Sequence, residues 1–408
     1  MSDSPPPASP TWDTARILAT YSELLSTEVT LDADFFMMGG HSLMAVILAD
    51  RLREQLGVPV TGLEVMDHAT PRALIAALRG RAAETQPQPQ TEAESGASGP
   101  ASADLRTVLV TGGSGGVGSF VVRELLARGH RVRVLARPES ASVVNSTGAE
   151  AVEGDLTRPD SLRGLLREGV DAVVHAACTF TEPDVDVAAM RALADGWGGG
   201  PFVFVSSVDA YGTPSHHDVR EGQATEGAVS DYGRGKADCE RVLFAAADRH
   251  GIRDQLSVVR VPLVWGPHRR LRDQLRWGAL GKLYQWGVRG EPILLPEAAG
   301  TAHPWSGVPW VGAAALARGL AAMLDRPAGG IVNTVGGHVG WAEFATELVT
   351  LLGSESVVRH SSSAEPGLNR PWQYRSEVFD ARYGLDLRED WRPLLAATLD
   401  ATDRAPVA

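Results

Sequence analysis

The stretch "RTVLVTGGSGGVGSFVVRELLARG", residues 106–129, constrains the fold of this 408-residue chain more than any other. Val108 to Val110 read as a buried strand, Gly112, Gly115 and Gly118 recur at every third position, and residues 120–129 carry apolar side chains at helical spacing before stopping at a glycine. A strand that breaks into glycines and turns at once into a helix leaves the first helical amides without acceptors and without side chains over them. Such a corner accepts a pyrophosphate, which makes Gly112, Gly115, Gly116, Val117 and Gly118 candidate cofactor-binding residues. "HRVRVLAR" follows as a second strand. The segment therefore predicts an α/β domain of Rossmann type, with a doubly wound parallel sheet and a smaller C-terminal substrate-binding part.

The downstream segments extend the same crevice. The second strand ends at Ala136–Arg137, where a site that prefers NADH carries an acid for the ribose hydroxyl; Arg137 suits a 2′-phosphate, so NADPH is expected over NADH. "EGDLT" puts Asp155 and Leu156 near an adenine, and "DAVVHAAC" reads as a buried strand followed by small residues, with Ala176 beside the cofactor and His175 packed in the strand. "FVFVSSVDAYG", residues 202–212, is an apolar strand ending in two serines; "DYGRGK" follows, with Tyr232 and Lys236 four apart on one helix face. Tyr232 can exchange a proton with a substrate oxygen, Lys236 lowers the phenol's pKa and can hold a ribose, and Ser207 can fix the same oxygen. Asp209, two residues on, is either a general base or a turn cap.

The order of glycine loop, strand-end serine, Y-x-x-x-K and "VVRVPLVWGP" resembles the extended short-chain dehydrogenase/reductases, the group of the epimerase/dehydratase enzymes, over most of residues 106–352. The resemblance implies Ser207, Tyr232 and Lys236 as catalytic residues, with Asp209 a fourth candidate. It departs from the family where "EPDVDVAAM" offers Asp184 and Asp186 in place of an asparagine.

Residues 83–104 hold no aromatic or large aliphatic residue and read as a linker, about 25 Å end to end if flexible. The division expected is 11–82, 83–104 and 105–398. Before the linker, "WDTARILATYSELL" aligns Ile17, Leu18, Tyr21 and Leu24; "SLMAVILADRLREQL" aligns Leu43, Ile47, Leu52 and Leu56; "TPRALIAAL" opens on Thr70 as cap and Pro71. This predicts a small all-α bundle. Ser42, at the start of its second long helix, is by position a nucleophile, an N-cap or an attachment point. The surrounding "DADFFMMGGHSLMAV" resembles the core of peptidyl carrier domains of nonribosomal peptide synthesis, through Phe35–Phe36 and Gly39–Gly40–His41–Ser42–Leu43. That resemblance implies 4′-phosphopantetheine on Ser42, a phosphopantetheinyl transferase, and a separate adenylation or acyl-loading enzyme. A phosphodiester at a helix start is also favoured by the unpaired amides there.

A net charge of −12 argues against nucleic acid or an anionic membrane surface as partner. Two cysteines without metal spacing, no secretion signal and no apolar run of spanning length give the expectation of a reduced, cytoplasmic protein without a metal site. Relatives pair through helices, so a homodimer is a possible state. Around and past Pro267, Trp265, Trp277, Trp286, Trp305 and Trp310 supply a core or an acyl pocket, and "HRRLRDQLR" a solvated face or a docking patch for the acidic carrier. The expectation is an NADPH-dependent reductase of a carrier-tethered acyl or aminoacyl thioester, reducing the thioester or a keto group in secondary metabolism. The alternatives are a tethered dehydratase or epimerase and a non-catalytic nucleotide-binding scaffold.

Overall fold

The computed structural model describes residues 14–83 other than 26, 36–37, 39–43, 45–46, 50, 54–59, 61–64, 66–67 and 69; residues 105–297 other than 168, 224–226 and 228–229; and residues 306–401. Ser42 and its neighbours Gly39, Gly40 and His41 lie outside the described residues, as do residues 84–104 and Trp305. The chain divides into two compact units, residues 1–99 and 100–408.

In the first unit, helices α1 (Thr14–Leu25) and α2 (Pro71–Ala83) pack together. Thr70 caps α2 as expected, its Oγ1 accepting the Ala73 N–H at 3.2 Å, with Pro71 at the first helical position. The core takes Ile17, Tyr21, Phe35, Leu48, Leu52, Leu74 and Leu78, and Tyr21 meets Phe35 edge-on at 6.0 Å. Ile47 differs from expectation: it is 37% exposed, while Leu48 is fully buried. The segment 43–49 is aliphatic nearly all round, so periodicity leaves two faces open and the packing partner selects one.

The second unit is built on seven parallel strands: β1 (Thr107–Thr111), β2 (Arg131–Ala136), β3 (Glu150–Glu153), β4 (Ala172–His175), β5 (Phe202–Ser207), β6 (Leu256–Val261) and β7 (Gly330–Asn333). Their order is β7-β6-β5-β4-β1-β2-β3. The sheet grows outward from β1 in one direction as far as β3, then restarts at β4 on the other side. That reversal opens a crevice at the carboxyl ends of β1 and β4. The inner strands β1, β4 and β5 are apolar runs because helices cover both faces; Val108, Val110, Val174, Phe202 and Val203 are fully buried. Each such side chain contributes about 1.5–3 kcal/mol relative to exposure.

Two helices fix the crevice walls. Helix α3 (Gly118–Ala127) follows β1, and helix α5 (Asp231–His250) crosses to β5 against helix α4 (Pro183–Gly196). Helix α5 starts where the Ser230 Oγ accepts the Gly233 N–H at 3.1 Å and carries Arg249 and His250 in its last turn. A smaller C-terminal part has its own core, in which Trp265 and Trp310 stack at 5.3 Å beside Leu283, Ile293 and Phe344. Those two tryptophans build this core, and Trp286 packs against it partly buried.

Candidate active site

At the glycine corner the chain has no room for side chains. Gly112 has φ +71°, and a Cβ there would stand 2.8 Å from the Ala177 nitrogen; at Gly118 it would stand 2.1 Å from the Gly112 carbonyl oxygen. The Gly115 N–H donates to that same oxygen at 2.8 Å. No side chain caps α3 at Val117; the Ser119, Phe120 and Val121 N–H groups donate to the backbone carbonyls of Gly115 and Val117. Ser119 Oγ is buried there without a hydrogen-bond partner among the described residues. Ala176 and Ala177 close the cradle, their N–H groups donating to the Thr111 carbonyl and Oγ1, both at 3.2 Å. A bare backbone cradle and an orphaned hydroxyl at a helix start fit a dinucleotide pyrophosphate.

The adenosine side is arranged from β2 and β3. Arg137 directly follows β2 with an extended backbone. Leu156 packs with Leu135 and Leu162 at the end of β2. The Asp155 carboxylate is folded into its own turn, accepting the Thr157 N–H and hydroxyl at 2.9 Å each, so it shapes this loop.

The other wall brings Ser207, Tyr232 and Lys236 together. Ser207 ends β5 buried, and its Oγ accepts the Asp209 N–H at 3.1 Å. Sequence reasoning left Asp209 as base or cap; the cap is Ser207. The glycines in "YGRGK" explain how the helix reaches the strand end: a Cβ at Gly233 would meet the Asp209 carbonyl oxygen at 2.5 Å, and one at Gly235 the Pro183 Cβ at 2.6 Å. Lys236 is 5% exposed, donates from Nζ to the Val205 carbonyl at 3.0 Å, and lies 5.0 Å over the Phe204 ring and 5.6 Å over the Tyr232 ring.

Burial pushes the Tyr232 phenol up, while Lys236 and a hydrogen bond with Ser207 pull it down without prevailing. Burial works against the Lys236 ammonium, yet Cys178, Tyr232 and Asp186 outweigh it and leave the amine raised. His175 is a packed strand residue, as expected. Its ring stacks on Phe204, its Nδ1 is 2.7 Å from Thr111 Oγ1, and burial, helped by Lys236, holds its pKa down at about 3.

Sequence spacing missed the residues around this group. Asp209 pairs with Arg370 at 3.3 Å, across 161 positions of chain. Of the two acids replacing the family's asparagine, Asp184 is exposed, whereas Asp186 accepts the Thr179 N–H at 2.8 Å; burial pushes its carboxyl up against the pull of Lys236. Phe180 stands against Tyr232, and Trp277 stands against Phe180. In the basic stretch, Leu271 lies on the glycine loop beside Gly116, Arg272 donates to the Ala401 carbonyl at 2.6 Å, and Arg276 covers Tyr284 at 5.5 Å. Among the described residues no cluster of ligands for a metal occurs, and no helix is long and apolar enough to cross a membrane.

Residues 108–334 match the NAD dependent epimerase/dehydratase family. The chain belongs to that family. Residues 15–78 match the phosphopantetheine attachment site family, so a carrier domain is fused to an extended short-chain dehydrogenase/reductase domain. A 2′-dehydrokanamycin reductase of Streptomyces kanamyceticus is 39% identical over 144 residues, covering 35% of this chain and 39% of that protein. PF 1022-synthetase of Rosellinia is 38% identical over 74 residues, 18% of this chain and 2% of that protein. The UDP-glucose 4-epimerase of Thermus thermophilus, solved with NAD, superposes with a TM-score of 0.56 at 22% identity, covering 72% of this chain and 98% of that one. The chain spans about half the length of the curated relatives it matches, 51% and 60% for two of them. The fold is thus the NAD-binding one of this family, and the protein carries an enzyme domain of the epimerase/dehydratase family.

Proposed function

We propose that this protein is an NADPH-dependent reductase of an acyl or aminoacyl group held as a thioester on its own carrier domain. The observation that carries the reading is the fusion itself: a phosphopantetheine attachment domain and a nucleotide cradle with Ser207, Tyr232 and Lys236 beside it occupy one chain. Ser42 is the tether, loaded by a phosphopantetheinyl transferase and then by a separate acyl-loading enzyme. The linker keeps the substrate at millimolar effective concentration. The similarity to a protein named as a reductase supports the direction of the reaction.

Gly112, Gly115, Gly116, Val117, Gly118 and Ala176 would hold the cofactor's pyrophosphate, Arg137 its 2′-phosphate, Leu156 its adenine and Lys236 its ribose, with Asp155 setting the loop. A nicotinamide cofactor held there would supply the hydride for the carbonyl carbon. Tyr232 gives its phenolic proton to the carbonyl oxygen, and solvent returns it. A phenol pushed up by burial is fully protonated at neutral pH, which suits an acid. Ser207 Oγ accepts the Asp209 N–H and hydrogen-bonds Tyr232, which holds its hydroxyl beside the oxygen that Tyr232 protonates. Lys236, fixed by the Val205 carbonyl, stabilises the phenolate left behind.

A second reading, a carrier-tethered dehydratase or epimerase, is favoured by the position of Asp209, whose charge acts on Tyr232. Its pairing with Arg370 weakens it as a base. Intact-protein mass spectrometry separates these readings after arm attachment, acyl loading and addition of NADPH. Return to the bare arm mass, with NADPH consumed, means thioester reduction and release; a gain of two hydrogens with the arm loaded means keto reduction. Loss of water or no mass change, without net NADPH use, means dehydration or epimerisation and refutes the reductase. If Ser42 takes no arm, the tethered reading falls.

A further inference from the structure

Phe180 is the non-glycine residue with a positive φ, +63°, among the described residues. A phenylalanine in that conformation is strained and persists only where the surroundings over-determine it. They do here. The Thr179 N–H is held by Asp186 at 2.8 Å, its hydroxyl donates to the Glu182 carbonyl at 3.0 Å, and the Glu182 N–H donates back to that hydroxyl at 3.1 Å. The pinned turn places the Phe180 ring against Tyr232, stacked at 5.6 Å and 18°, and edge-on to Trp277 at 5.3 Å. This is not core packing, for Phe180 stays 40% exposed. Trp277, from the C-terminal part, adds a buried indole N–H with no hydrogen-bond partner among the described residues.

A strained backbone that keeps a large apolar ring in water, on the phenol assigned as proton donor, has the form of a recognition surface. We propose that Phe180 over Tyr232, backed edge-on by Trp277, forms an aromatic jaw that selects substrates with an apolar, preferentially aromatic, acyl group next to the reacting carbonyl. Covering Phe180 with such a group releases water from its exposed face, and ring-on-ring contact adds to that gain. The indole N–H offers a single donor to a carbonyl of the acyl group or arm. Sugar hydroxyls would find little to bond on these three ring faces. The inference rests on the reading of Ser207, Tyr232 and Lys236 as the reaction site, and it names the substrate class of that site.

The test is equilibrium binding, which needs no turnover. The full chain without its arm is titrated by calorimetry with two non-reducible amide analogues of the thioester, acetyl- and phenylacetyl-pantetheine amide, with NADPH present. The phenylacetyl amide is expected to bind about tenfold more tightly or better. Phe180→Gly, which keeps the fold because glycine tolerates the left-handed backbone, and Trp277→Ala should each bring the two probes within about twofold. Equal binding of both probes by the parent chain overturns the jaw. So does a preference that survives in both variants while their melting temperatures are unchanged. A jaw seen in binding together with no NADPH consumption on any loaded thioester upholds this inference and refutes the reductase reading.

Discussion

Replacing Glu240 by alanine should cost the large unit more than almost any other single substitution. Its carboxylate lies under the end of β5, where it accepts Arg260 Nε at 3.0 Å and Nη2 at 2.6 Å and the Ser206 hydroxyl at 2.5 Å. The pair is sealed, with side-chain exposures of 5% for Glu240 and 2% for Arg260. Arg260 also covers the Tyr211 ring at 4.0 Å, and its Nη1 has no hydrogen-bond partner among the described residues. Removing the carboxylate strands a buried guanidinium, which costs about 3–5 kcal/mol. Over the roughly 300 residues of the second unit, a melting entropy of about 2.1 cal/mol/K per residue converts this into a fall of about 5–8 °C. Tryptophan fluorescence is the assay: of the 10 tryptophans only Trp12 precedes residue 100, so the signal reports this unit. The double replacement Glu240→Leu with Arg260→Met should recover more than half of the loss, because the cost is an unpaired buried charge and not a missing attraction. A single variant melting within about 1 °C of the parent, or a double variant worse than the single, refutes the reasoning.

Other outcomes follow from the site. His175, held down at about 3 against an ordinary 6.5, refuses a proton that the unfolded chain accepts, so stability is present above about pH 6.5 and is lost as pH falls, by about 1.4 kcal/mol per pH unit; His338, held at about 4, adds the same. Denaturant unfolding between about pH 6.5 and pH 5 should show that slope, and His175→Gln should remove about half of it. Arg137→Ala should lower the ratio of NADPH to NADH affinity by about tenfold or more in a nucleotide titration, with NADH binding little changed. Tyr232→Phe should reduce turnover about a hundred- to ten-thousandfold while leaving NADPH affinity unchanged; full turnover in this variant removes Tyr232 from the reaction.

Local chemistry carried much of this protein. The glycine corner was legible because a backbone approach of 2.1–2.9 Å admits no Cβ, a demand written in residue type at fixed spacing. Tyr232 and Lys236 were legible because four residues make one helical turn. Thr70 and Pro71 marked a helix start that the structure uses. Where local rules were degenerate, the reading stayed open or slipped by a residue. The aliphatic run at 43–49 offered two faces, and Asp209 was compatible with base or cap until Ser207 was found accepting its N–H and Arg370 donating to its carboxylate. The acids at 184 and 186 could not be ranked, because which one faces Lys236 depends on how α4 lies against α5.

The sequence by itself therefore determined the strand–glycine–helix corner, the helical spacing of tyrosine and lysine, and the two-part organisation, since each follows from sterics or periodicity within about thirty residues. Tertiary structure alone decided what surrounds Tyr232. Phe180 arrives from the turn after β4, Trp277 from the C-terminal part, and Arg370 from far along the chain. No spacing rule links such residues. They meet because the sheet's order reversal and the close approach of α5 at Gly233 and Gly235 bring distant segments to one crevice.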